Sequence, residues 1–161
     1  MKTVAILLVL IVSISHLALA EEAKPAYGFK DAKNLLVEGY EFSFSKAEAD
    51  RDQWRMGYFN FRWHGAKAIR LWGFGFEKDG SLRVRFENFS KMKGDSWQEV
   101  PVGYCGTGAE MFALEPNREY VLQIPLWPYE KSGDKGVVKI DGENISVVSD
   151  PFDVEILKWN R

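Results

Sequence analysis

From Tyr40 onward the chain alternates apolar and polar residues with a period of two, and this limits its fold more than any other feature. Tyr40, Phe42 and Phe44 alternate with Glu41 and Ser43. Phe59, Phe61 and Trp63 share one parity, and Tyr58, Asn60 and Arg62 share the other. Arg70, Trp72, Phe74 and Phe76 alternate with Ile69, Leu71, Gly73 and Gly75. The same holds for Leu82, Val84 and Phe86, for Tyr120, Leu122, Ile124 and Leu126, and for Phe152, Val154 and Ile156. A period of two belongs to strands with one buried face, and a helical bundle needs 3.6. Turns punctuate the runs. Lys78-Asp79-Gly80-Ser81 and Asp141-Gly142 are hairpin signals, because glycine takes positive φ at no steric cost. Ser132-Gly133-Asp134 falls in a longer loop. Only Ser45 to Gln53 reads as helical, with Ser45 and Glu48 spaced as a capping box, and it is expected to form a short exposed turn.

Strands with one apolar face are buried by packing two sheets together. The closing third narrows this further. Leu114-Glu115-Pro116-Asn117-Arg118-Glu119-Tyr120 leads into Val121–Leu126, Gly136–Ile140 follows, and Ser149-Asp150-Pro151-Phe152 opens a last run. This resembles the closing strands of bacterial immunoglobulin-like domains, where a Leu-x-Pro-Gly-Glu turn precedes a strand and a Ser-x-Pro-Phe turn opens the last one. Asn117 stands where those domains have glycine, and the paired cysteines of antibody domains are absent, since Cys105 is alone. The resemblance implies an all-β, two-sheet antiparallel immunoglobulin-like β-sandwich over residues 35–161, and it carries no activity with it.

Residues 1–20 read as an export signal, helical until removed. Lys2 is the positive end, Val4–Val12 is an unbroken apolar run, and Ala18-Leu19-Ala20 fits the small-x-small cleavage rule. Residues 21–34 are polar and irregular, the pattern of a flexible arm. Beyond the signal no stretch is long enough to span a membrane, so a secreted or periplasmic protein is expected. Asn88-Phe89-Ser90 and Asn144-Ile145-Ser146 match the acceptor pattern for N-glycosylation.

Composition then removes function classes. The formal net charge is −2, and loss of Lys2 makes it more negative, which argues against a nucleic-acid partner. After the signal one cysteine and one histidine remain, too few for a disulfide framework or a structural zinc site. No metal or cofactor is expected. Cys105, in Gly103-Tyr104-Cys105-Gly106, and His64 are the minimum for thiol catalysis, yet the local sequence gives Cys105 no cation to lower its acidity and a buried neutral thiol is the expectation. Gly106-Thr107-Gly108 lacks the following helix and Lys-Ser/Thr pair of a phosphate loop. Aromatic residues, 14% of the chain, stand out. Trp127 and Tyr129 near a strand end, and Trp72 on a strand face, can stack on sugar rings; packing is the competing use. The sequence therefore points to a non-catalytic binding or scaffold protein at the cell exterior. Its partner is a protein or, alternatively, a carbohydrate held by Trp72, Trp127 and Tyr129. An enzyme using Cys105 and His64 ranks below both. Intact-mass measurement of the exported protein is expected to give Glu21 as the first residue, and retention of residues 1–20 overturns the cleavage reading.

Overall fold

The computed structural model describes residues 27, 29, 35–36, 39–49, 55–85, 88–101, 107–126 and 135–153. The export signal, Cys105, Trp127 and Tyr129 lie outside them. The described chain is all-β and holds no helix. Its twelve strands are β1 (Leu35–Leu36), β2 (Tyr40–Ala49), β3 (Arg55–Trp63), β4 (Ile69–Phe76), β5 (Leu82–Val84), β6 (Asn88–Lys93), β7 (Ser96–Pro101), β8 (Glu110–Leu114), β9 (Glu119–Pro125), β10 (Lys135–Asp141), β11 (Ile145–Val148) and β12 (Phe152–Asp153). One sheet runs β2-β3-β9-β5-β4-β8. The other runs β1-β11-β10-β6-β7, with β12 also on β10. Pairing is antiparallel except for β1 with β11 and β5 with β9.

The alternation read from the sequence is the alternation of burial in β3, β5 and the first halves of β2, β4 and β9, while Phe86, Val154 and Ile156 lie outside the described residues. Phe42, Phe59, Phe61, Leu71, Leu82, Val84, Leu122 and Ile124 come from the first sheet, Phe89, Val138, Ile140, Val147 and Phe152 from the second, and all join one apolar core. Phe152 is the joint between them. Its ring stacks on Phe44 at 5.0 Å and meets Phe59 edge-on at 5.3 Å.

Two corners lock the sheets. At one, Tyr40 Oη donates to the Val148 carbonyl at 3.0 Å and accepts from the Val148 N–H at 2.8 Å. Asp150 N–H then donates to the Phe42 carbonyl. At the other, the Gly142 turn abuts β4, where Glu143 N–H donates to the Arg70 carbonyl. A Cβ on Gly142 overlaps that carbonyl, so only glycine permits the approach. The Lys78–Ser81 hairpin forms as expected. Gly80 takes φ +82, and the Ser81 hydroxyl and N–H both donate to the Asp79 carboxylate, holding its pKa below the usual range.

Three expectations are corrected. Ser45–Ala49 is strand, not helix: the register shifts between Phe44 and Lys46, so Ser45 sits in a bulge, and Lys46 to Ala49 pair with β3. A run without an apolar helical stripe gains more from a partner strand's hydrogen bonds. Residues 50–53 of that reading lie outside the described residues. Second, β10 is buried on both faces. Tyr27 and Phe29 lie over its outer side with Val137, Val148 and Trp97, and Tyr27 meets Trp97 edge-on at 4.9 Å. Lys139 is consequently buried, its ammonium 3.6 Å from Asp141. Third, Trp72, Phe74 and Phe76, read as one parity, do not share one face. The β4–β5 register shifts between Gly73 and Gly75. Trp72 stays on the outer face, while Phe76 pairs with buried Leu82 and meets Phe112 edge-on at the rim of the core.

Two outcomes follow. Phe152→Ala is expected to cost about 3–5 kcal/mol in a denaturation curve, and a loss below about 1 kcal/mol, usual for surface changes, contradicts its place in the core. For Tyr40, burial, helped by the charge of Asp150, pushes the phenol up to about 12 against the hydrogen bond from Val148. The unfolded phenol ionises near its ordinary value of 10.0. The stabilisation is therefore complete below pH 10 and is lost as pH rises through the folded value. Melting temperature is expected to fall more steeply from pH 10 to 12 in the wild type than in Tyr40→Phe; parallel slopes contradict it.

Candidate binding face

The outer face of the β2-β3-β9-β5-β4-β8 sheet gathers the polar parity of its strands into cross-strand rows. Register places Glu41, Arg62 and Glu119 in one row, and Ser43, Asn60 and Val121 in the next. Lys46, Tyr58, Gln123, Arg83 and Gly75 make the third. Beyond it, Trp72 sits beside Met111, and the Arg85 N–H donates to the Trp72 carbonyl at 2.9 Å.

The first two rows enclose a cleft of about 310 Å³, lined by Glu41, Ser43, Asn60, Arg62, Glu119 and Val121 and floored by Phe61 and Tyr120. Arg62 is ion-paired with Glu119, and its Nε is buried without a hydrogen-bond partner. Carboxylates supply acceptors, the guanidinium donors, and Asn60 and Ser43 both. This suits a ligand rich in hydrogen-bonding groups. Among the described residues no group of three His, Cys, Asp or Glu is placed to hold a metal ion.

His64 stands beside the cleft, against Glu41. Its Nε2 lies 2.9 Å from Glu41 Oε1 and its Nδ1 3.3 Å from Asn117 Oδ1. Backbone geometry holds it there. His64 N–H donates to the Gly39 carbonyl, and Asn117 N–H donates to the Trp63 carbonyl. Asn117 takes φ +59, a left-handed conformation asparagine tolerates better than most residues. Both ring nitrogens thus lie within reach of side-chain oxygens, and Cys105 lies outside the described residues.

Of the proposed sugar contacts, Trp72 is on this face and partly exposed; Trp127 and Tyr129 fall outside the described residues. Sequence reasoning missed the cluster of Glu41, Arg62, Asn117 and Glu119. Each was visible as a polar strand or turn residue, but only the β2-β3-β9 register joins residues so far apart in the chain. No family model, curated protein or solved structure matches the chain.

The ion pair at the cleft does not hold the fold. Glu119 is 78% exposed, and exposed pairs are worth about 0–1 kcal/mol. Glu119→Gln is expected to leave chemical denaturation within about 1 kcal/mol of wild type. A larger loss makes the pair structural.

Proposed function

We propose that the protein is a non-catalytic binding module that works outside the cytoplasm, with the outer face of the six-stranded sheet as its ligand surface. The observation that carries this reading is the cleft between Glu41, Ser43, Asn60, Arg62 and Glu119. A sheet face needs charged residues only for solubility, and scattered charges meet that need. Here donors and acceptors converge on one depression, and a histidine stands beside it with both ring nitrogens within reach of side-chain oxygens. Export rests on the residue pattern of the first twenty positions.

The immunoglobulin-like assignment belongs to the same proposal. It is supported at the Leu114–Tyr120 corner, where the Glu115 N–H donates to the Tyr120 hydroxyl at 2.8 Å. A tyrosine at the start of a strand, bonded back to the preceding turn, is a mark of such sandwiches. Carbohydrate is the ligand class favoured by Trp72 on the same face and by the mixed donors and acceptors of the cleft.

Filling the cleft tests the reading. Val121 is 38% exposed at its edge. Val121→Trp is expected to abolish binding of the purified protein to immobilised cell-envelope glycan and protein fractions, with the melting temperature unchanged. Undiminished binding removes the cleft from the function. Turnover of a substrate that depends on His64 replaces the reading with an enzymatic one.

A further inference from the structure

Arg83 occupies the third row of the outer face under conditions that ask for an anion. Its neighbours in register are Gln123 on one side and Gly75 on the other. Gly75 takes φ +129, and nothing lies within 4 Å of where its Cβ would stand. An open notch therefore lies at the position paired with Arg83. Among the described residues no carboxylate is ion-paired with the Arg83 guanidinium, and its Nε is buried without a hydrogen-bond partner. A buried donor without an acceptor is costly, and a ligand that supplies the acceptor relieves that cost.

The rest of the row says what kind of ligand brings the anion. Lys46 Nζ lies 4.9 Å over the Tyr58 ring, and Gln123 Nε2 donates to the Tyr58 hydroxyl at 3.0 Å. Cation, ring, amide, guanidinium and notch thus follow one another across five strands. At about 4.8 Å per strand, the row is about 19 Å long, the span of several sugar rings. Trp72 stands one row further on, beside Arg85. Rings at two positions, one of them fixed by the buried Gln123 amide, and a planar cation next to the notch fit a linear polymer with flat faces and a repeated negative charge.

We infer that the third row binds an acidic polysaccharide, with Arg83 taking a carboxylate or sulfate group in the notch above Gly75. The inference rests on the binding-module reading and names its ligand class. A guanidinium fork holds either anion through two parallel hydrogen bonds, which a lysine cannot reproduce.

Affinity electrophoresis of the mature protein tests it, in gels containing polygalacturonate, dextran sulfate, unsubstituted dextran or polyphosphate. Wild type is expected to be retarded by polygalacturonate, dextran sulfate or both, and not by polyphosphate. The preferred polymer identifies carboxylate or sulfate as the anion. Arg83→Gln is expected to weaken that binding at least tenfold, and Arg83→Lys to restore only part of it. Unchanged thermal melts establish that both variants are folded; if Arg83→Gln is not, Arg83→Lys and Tyr58→Ala carry the test, each with a loss of at least threefold. Equal binding by wild type and the folded variants overturns the proposal, as does equal retardation by polyphosphate, which marks simple charge attraction. Retardation by dextran alone overturns the acidic ligand but leaves the binding module standing. Loss of envelope binding in Val121→Trp with no retardation in any gel does the same.

Discussion

The two sheets are held in register by residues 148–152, which bond to both. Lys139 pairs with Val148, while Gly136 pairs with Phe152. Between these pairs the strand on β10 carries one extra residue, and the chain bulges at Ser149 to Pro151. Pro151 has no N–H to lose there. Ser149 repairs the break: its N–H donates to the Val138 carbonyl and its hydroxyl accepts from the Val138 N–H at 3.0 Å. The bulge turns Val148 toward the Tyr40 hydroxyl and Asp150 toward Phe42 on the edge of the other sheet. Phe152 then enters the core beside Phe44. An edge strand is a hazard when its backbone is left open, and here a bulge of the opposite sheet covers part of β2.

With that fastening in place, β2, β3 and β9 present polar rows outward. The inner parity of these strands is aromatic and fully committed to the core, with Phe42 meeting Phe59 at 5.5 Å and Phe61 at 5.6 Å, edge-on. The outer parity carries the polar rows, in which Gln123 is itself buried and bonded to Tyr58, and its exposed ion pairs contribute little to stability. The bulge at Ser45 serves the same face. Were Ser45 paired regularly with Tyr58, Lys46 would fall on the core side and the third row would lose its first cation. The core and the outward polar rows thus use opposite parities of the same strands.

Much of this was legible in the residues. The period of two gave the strands and their buried sides, because a pleated chain can do nothing else with such a pattern. Turn chemistry marked the Lys78–Ser81 and Asp141–Gly142 reversals. Single-residue irregularities were not legible. The bulge at Ser45 hid behind a capping pattern, and the shift between Gly73 and Gly75 separated Trp72 from Phe76. One inserted residue reverses every later side chain, and pattern alone does not reveal which strand opposes it.

The sequence by itself determined that the chain is built of strands, which parity a strand buries where its pairing is regular and one face is covered, and where the chain reverses. These are local properties, fixed by side-chain polarity and by the φ values that particular residues allow. Only the tertiary structure decided which strands are neighbours. Arg62 meets Glu119, and Arg83 comes to stand between Gln123 and Gly75, through register between segments distant in the chain. Register is set by the joint packing of two sheets, by corners such as Tyr40 with Val148 and Gly142 with Arg70, and by bulges that no single segment specifies. A binding face assembled from one residue of each strand exists only after those contacts have formed.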